Sequence, residues 1–199
     1  MKDYKNLKDW IDDNNKHIFD KHIATRTNLP TGKNDCCIHF EDPETSNGWM
    51  DFIYCNGVLT IQGDYGNCSL CWYNKTNSIE VLANFAWNMG YFLSKLESAE
   101  RCEIPNRYAL EFNQDACIEQ VEKDFEDSEK TINEEFDAWE YHTEDYHSWI
   151  AFCREDGEKF FQDQDAWEYM YNYGQVNTQR AYLWCYGLIK AIEYMEKEK

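Results

Sequence analysis

The chain has 199 residues and carries 38 Asp and Glu against 19 Lys and Arg, a net charge of -19 at pH 7. A balance of that sign argues against nucleic acid or an anionic membrane as a direct ligand, because both need a positive footprint. With 43% hydrophobic and 17% aromatic residues, the sequence has the material for a folded core and is unlike a disordered acidic tail.

Leu7, Trp10, Ile11, Ile18 and Phe19 recur at helical spacing and predict an opening helix. Thr27-Asn28-Leu29-Pro30-Thr31-Gly32 then reads as a turn region. Residues 35–74 predict an antiparallel meander of four strands: Cys36–Phe40, Trp49–Tyr54, Val58–Gln62 and Cys68–Tyr73. Cys55-Asn56-Gly57 is the strongest hairpin signal in the chain, since Asn-Gly tolerates the positive φ of a type I′ turn. Gly63-Asp64-Tyr65-Gly66-Asn67 forms the next turn, with Asp64 placed to satisfy turn N–H groups.

One helix is expected over residues 77–98, capped by Asn77 or Ser78, with Glu80 near its positive end and a broad apolar face from Ile79 to Leu96. Gly90 within it suggests a close backbone approach. Tyr108–Phe112 is a short strand or an irregular link. Val121, Phe125, Ile132, Phe136, Trp139, Tyr146, Trp149 and Cys153 then recur as one aromatic helical stripe, with a break near His142-Thr143. Glu158–Tyr173 holds another helix, and Thr178–Glu198 closes the chain as a helix packed through Tyr182, Cys185, Leu188, Ile189, Ile192 and Met195. The fold expected is α+β: a small antiparallel sheet covered by helices, with an acidic helical C-terminal half. Residues 1–199 read as a single α+β domain in which 113–170 form an acidic helical subdomain.

No apolar run is long enough to span a membrane, and the charged start Met1-Lys2-Asp3-Tyr4 predicts no signal peptide. Nine cysteines, an odd number lying mostly among apolar neighbours, fit free thiols in a reducing compartment better than a disulfide scaffold.

Three segments carry a family resemblance. They are Gly63-Asp64-Tyr65-Gly66 with Trp72 in the following strand, Tyr91-Phe92-Leu93-Ser94-Lys95-Leu96, and Arg180-Ala181-Tyr182-Leu183-Trp184-Cys185-Tyr186-Gly187-Leu188. In content, order and spacing they resemble a family of small proteins carried by tailed phages and prophages. Its pattern is Gly-Asp-x-Gly before a strand with a Trp, Tyr-Phe-x-x-Lys at a helix end, and a closing aromatic-Leu-Trp-Cys segment. The resemblance implies a phage product acting in the host cytoplasm and carries no activity with it.

The sequence offers no strong catalytic motif. Cys68-Ser69-Leu70-Cys71 is a C-x-x-C pair, and Cys36, Cys37 and His39 are further thiol and imidazole donors two strands away. Residues three apart on a strand point to opposite faces, so the pair does not converge on a metal without a bulge. His142, Glu144, Asp145 and His147 are mixed imidazoles and carboxylates, but their spacing is not that of H-E-x-x-H. Gly63-Asp64-Tyr65-Gly66 lacks the Lys and the following helix of a phosphate loop. No catalytic residue, metal ligand or cofactor is assigned.

The sharpest feature is charge. Residues 113–170 hold 19 Asp and Glu against 4 Lys and Arg, and residues 119–145 hold 12 against 2. If helical throughout, the denser stretch spans about 40 Å at about 1.5 Å per residue. Its net charge is less than half as dense as that of duplex DNA, which carries one charge per roughly 1.7 Å. Like charges four apart, Glu122 with Glu126 and Glu140 with Glu144, disfavour an isolated helix. Such a helix needs tertiary packing or a use for its charge.

The function expected is a phage-encoded, non-catalytic inhibitor of a host defence or nucleic-acid-handling protein, acting as a DNA mimic. The partner expected is a basic host protein such as a restriction or CRISPR component, making the activity antirestriction or anti-CRISPR. Its interaction residues would be Glu119, Glu122, Glu126, Asp127, Glu129, Glu134, Asp137, Glu140, Glu144 and Asp145. Two alternatives stand beside it: a phage interaction or structural module without mimicry, and a metal-dependent nucleotide or nucleic-acid hydrolase.

Overall fold

The structure, a computed structural model, describes residues 4–45, 47–75, 77–99, 109–126, 139–161, 168 and 170–198. The described residues fall into two compact units, one built from 4–102 with 178–199 and the other from 103–177.

The first unit is organised by a six-stranded sheet. Its strands are β1 (Ile23–Asn28), β2 (Cys36–Glu41), β3 (Met50–Cys55), β4 (Val58–Gly63), β5 (Cys68–Cys71) and β6 (Leu96–Ala99), ordered β1-β2-β3-β4-β5-β6. Every neighbouring pair is antiparallel. Strict alternation sets the register: Cys36, Ile38 and Phe40 of β2 and Met50, Phe52 and Tyr54 of β3 are buried, while the residues between them are half-buried. A slip of one residue would turn this whole apolar set to the opposite face. The β3–β4 hairpin turns at Asn56 (φ 51°) and Gly57 (φ 88°), as the Asn-Gly pair predicts. Asp35 clasps that hairpin, its carboxylate accepting the Asn56 N–H at 3.1 Å.

The apolar face of the sheet is covered by helices. They are α1 (Leu7–Trp10), α2 (Ile79–Ala86), α3 (Met89–Leu93) and the C-terminal α7 (Gln179–Lys197). Helix α7 is the central one, buried from Ala181 to Ile189 without interruption. Gly187 lets it lie directly on β3, because a Cβ there would overlap the Met50 side chain. Its polar aromatic groups tie down distant segments. The Trp184 indole donates to the Tyr65 carbonyl at 3.1 Å, and the Tyr186 hydroxyl donates to the Lys16 carbonyl at 2.8 Å. Each large side chain buried here contributes about 1.5–3 kcal/mol relative to exposure.

Five expectations need correction. Residues 23–28 form the edge strand β1, so Thr27 and Asn28 pair with Cys37 and Cys36 and are not part of a turn. The predicted opening helix is short, because the chain leaves helical geometry at Asp13 and Asn14, the latter at φ 69°. The single helix over 77–98 is two short helices followed by a strand. Asn88 breaks it by turning its side chain onto the Tyr91 N–H at 3.1 Å and capping α3. Leu96–Ala99 then pairs with β5, so the sheet has six strands and not four. Gly90 has no close backbone neighbour: a Cβ there would meet only the Asn88 side chain, at 3.7 Å.

The second unit contains β7 (Leu110–Phe112), α4 (Gln114–Glu126), a 3₁₀ turn (Trp139–Thr143), α5 (Tyr146–Glu155), α6 (Gly157–Phe161) and β8 (Gln175–Asn177). The break predicted in the aromatic stripe near His142-Thr143 is present: Trp139–Thr143 form the 3₁₀ turn, and Asp145, in extended geometry, caps a new helix. The positions Ile132 and Phe136 lie outside the described residues.

Candidate functional site

The charge found in the sequence follows the fold. The unit of residues 103–177 holds 21 Asp and Glu against 5 Lys and Arg, a net of -16. The unit of residues 4–102 with 178–199 holds 16 against 13, a net of -3. Almost all of the imbalance therefore sits on one compact unit with its own core.

That core positions the carboxylates. Cys117 and Val121 of α4 pack with Trp149, Phe152 and Cys153 of α5, Phe160 of α6, and Met170. The Trp149 indole, fully buried, donates to the Met170 carbonyl at 2.8 Å. Strands β7 and β8 close the unit, pairing Leu110 with Asn177 and Phe112 with Gln175. Gly174 (φ 69°) makes the closure possible, since a Cβ there would meet Phe112 at 2.7 Å and Cys117 at 2.8 Å. With Cys117 and Val121 turned inward, helical geometry turns Asp115, Glu119 and Glu122 outward, and all three are exposed. Glu144 and Asp145 are exposed at the start of α5. Asp145 also caps that helix, accepting the Ser148 N–H at 2.8 Å; this bond holds its carboxyl below the ordinary carboxylate range.

Of the ten residues named from sequence, Glu119, Glu122, Glu144 and Asp145 are exposed on this unit. Glu126 ends α4 and Glu140 lies in the 3₁₀ turn, with their side chains outside the description. Asp127, Glu129, Glu134 and Asp137 lie outside the described residues. Because Trp139–Thr143 form a 3₁₀ turn and Asp145 caps a new helix, residues 119–145 are not one helix, and the linear charge spacing argued from a 40 Å helix at about 1.5 Å per residue does not describe this surface. The carboxylates are grouped by a tertiary fold.

Other constellations resolve into structural roles. Cys68 is buried and Cys71 exposed on opposite faces of β5, and Cys36 points inward while Cys37 and His39 point outward. The His142 ring stacks on Phe152 at 4.8 Å, and Asp145 is committed to its cap. Among the described residues no group of three or more His, Cys, Asp or Glu side chains is arranged to hold a metal ion. Asp64 serves a neighbouring turn, accepting the Gly48 N–H at 2.5 Å.

The outward face of the sheet holds a cluster that sequence reasoning missed. The register sets His39 opposite Asp51, and Asp51 opposite Gln62. His39 Nδ1 lies 2.6 Å from Asp51 and Nε2 lies 3.2 Å from Glu41, while Gln62 donates to the second Asp51 oxygen at 3.1 Å. The hydrogen bond to Asp51, with that to Glu41 behind it, raises the His39 pKa. The available signal was the alternation of residues 37, 39 and 41 combined with the hairpin register.

No helix among the described residues is long and apolar enough to cross a membrane. Neither a curated protein nor a solved structure matches the chain. A family model does: the chain belongs to the phage family Phage_phiTE_072, whose model matches residues 34–198.

Proposed function

We propose, taking membership of a phage family as the premise, that this protein inhibits a host defence or nucleic-acid-handling protein in the host cytoplasm through its acidic unit. The observation that carries the reading is the separation of charge: -16 on the unit of residues 103–177 against -3 on the other. Solubility alone does not require such a separation, since charge spread over both units would serve it equally. A groove built to hold nucleic acid is lined with Lys and Arg and already paired to anions, so a folded carboxylate surface competes for it by complementarity. The partner is a basic restriction or CRISPR component, and the acting residues are the exposed Glu119, Glu122, Glu144 and Asp145 together with the other acids named from sequence.

The test uses the intact protein against purified restriction and CRISPR effector complexes of the host. Inhibition should weaken with salt, should be relieved by excess nucleic acid, and should fall at least tenfold when Glu119, Glu122 and Glu144 become Gln together. Binding that ignores both salt and these changes would sink the proposal.

A second reading, a phage interaction module without mimicry, draws support from the other unit. Trp87 is 47% and Tyr91 41% exposed around the α2–α3 break, with Phe85 against Tyr91 at 5.2 Å. Changing Trp87 and Tyr91 to Ser would abolish binding on that reading and leave it intact on the first.

A further inference from the structure

The six-stranded sheet of the first unit has two edges, and they are built differently. Strand β6 is four residues long, meets β5 through a register irregularity at Ser69 and Leu70, and carries exposed Glu97. Shortness, a bulge and a charge are usual means of keeping an edge from pairing with another chain. Strand β1 is not blunted in these ways. It is six residues long, keeps an unbroken register with β2, and contains neither Pro nor Lys. Its one charge is tied down: Arg26 Nη1 donates to Glu80 at 2.6 Å and Nε to the Asn28 side chain at 3.1 Å.

The direction of the free backbone groups follows from the ladder. Just past β1, the Leu29 N–H donates to the Asp35 carbonyl at 2.9 Å. In an antiparallel pair, successive residues turn their N–H and C=O to alternate sides. Ile23, Thr25 and Thr27 therefore turn theirs to β2, and Ala24, Arg26 and Asn28 turn theirs to the open edge. Among the described residues nothing takes up these outward backbone groups. Thr25, Thr27 and Asn28 are exposed.

Two copies of such an edge can pair antiparallel about a two-fold axis, which makes each contact twice. Only the even-numbered residues can exchange hydrogen bonds, so the axis passes through a single position of β1. Every such register keeps the open face beside the open face and the helix-covered face beside its like. Centring on Arg26 sets two guanidinium groups directly opposite, which is unfavourable. Centring on Thr27 pairs only residues 26–28 within β1 and runs Ala24 against Pro30, which has no N–H. Centring on Thr25 pairs residues 23–27 of one copy with 27–23 of the other. Ala24 and Arg26 then exchange N–H···O bonds twice over, and Ile23 lies beside Thr27. Thr25 meets its own copy at a close, non-hydrogen-bonded position, a favourable Thr–Thr pair. The nearby charges do not oppose this. Glu41, opposite Ile23 in β2, is engaged by His39 at 3.2 Å, and the first unit carries a net of only -3.

We propose that β1 is a self-association edge: two copies of this chain pair through it, antiparallel, about a two-fold axis at Thr25, and join their sheets into one. The contact uses the first unit alone and is independent of the acidic unit and of the reading above. One strand edge is a small interface, so the dimer forms reversibly.

The test is sedimentation of the intact protein over a dilution series at physiological salt, which should show a reversible monomer–dimer equilibrium. Ala24→Pro removes an outward N–H and leaves the ladder with β2 intact, a place where an edge strand accepts Pro. It should raise the dimer dissociation constant at least tenfold while unfolding at a temperature close to that of the parent. Thr25→Lys sets like charges on the axis and should do the same, as should Thr25→Glu. Mixing the Thr25→Lys and Thr25→Glu proteins should restore a dimer that contains one of each. A parent that stays monomeric throughout, a dimer indifferent to these changes, or a mixture that fails to pair would each overturn the proposal. If Ala24→Pro does not fold, the two Thr25 variants decide, since that side chain is exposed on the open face.

Discussion

Trp184 donates its indole N–H to the main-chain carbonyl of Tyr65 at 3.1 Å, joining the last helix to the turn between β4 and β5. The two residues belong to two of the segments that carried the phage-family resemblance, and they are 119 positions apart. Trp184 is fully buried, so its ring fills the core while its one polar atom satisfies a turn. Trp184→Phe keeps most of the ring and removes the donor. Urea unfolding should show a loss of about 1–3 kcal/mol, the usual cost of leaving a polar partner unmatched. A loss below about 0.5 kcal/mol would place the segment's importance elsewhere.

Gly187→Ala should destabilise the protein by about 1 kcal/mol, the low end of the overpacking range, because the nearest obstacle is the flexible terminal methyl of Met50. The added methyl is directed at the Met50 side chain. Truncating the obstacle should relieve it: in Met50→Ala the same Gly187→Ala change should cost far less, and a double-mutant cycle measures the coupling. Additive effects would show that α7 shifts instead of clashing.

The cluster on the open sheet face predicts a pH dependence. Asp51 and Glu41 raise the pKa of His39 above its unfolded value of about 6.5. A raised pKa means that the folded state holds this proton more tightly than the unfolded one. Its stabilisation is therefore complete below the unfolded pKa and is lost as pH rises through the folded one. The stability difference between the parent and His39→Gln should shrink from pH 5.5 to pH 9. It should not exceed about 1 kcal/mol, because the His39 side chain is 43% exposed. A difference that grows with pH would contradict the assignment.

The thiols should divide by burial. All eight cysteines among the described residues are free. Burial raises the thiol pKa of Cys36, Cys68, Cys117 and Cys185, and pushes Cys153 up to about 12. Of these eight, a thiol reagent at neutral pH should label exposed Cys71 first and half-buried Cys37 and Cys55 more slowly. The five buried thiols should react only on denaturation. Mapping the labelled positions by mass spectrometry checks the order.

The features legible in the sequence were those with a local cause. Asn56-Gly57 announced its hairpin because two consecutive positive φ values suit few other residues. Strands β2 to β5 were readable because each buries one face, which writes a period of two into the chain. Strand β1, Ile23-Ala24-Thr25-Arg26-Thr27-Asn28, lies at an edge and is stabilised chiefly by its ladder with β2, so its own residues show little alternation. Leu96–Ala99 was hidden for a related reason: its apolar residues continued a helical stripe, and only the Asn88 cap ended that stripe. The acidity of the candidate site could be counted from sequence, but its surface could not. Glu119 and Glu144 share one unit because Trp149 and Phe152 pack against Cys117 and Val121, a tertiary fact without a linear signature.

The buried course of α7 also bears on how the protein is made. The sheet of the first unit is translated before the acidic unit, yet the helix that fills its apolar face, Gln179–Lys197, is translated after it. At roughly 5–20 residues per second on the ribosome, the acidic unit emerges and has time to form while the sheet still lacks that helix. Chains interrupted before residue 178 would carry the acidic surface on a partner unit with an open apolar face, a form that proteases and chaperones recognise. Chains truncated before residue 178 should therefore be cleared faster than chains that include α7.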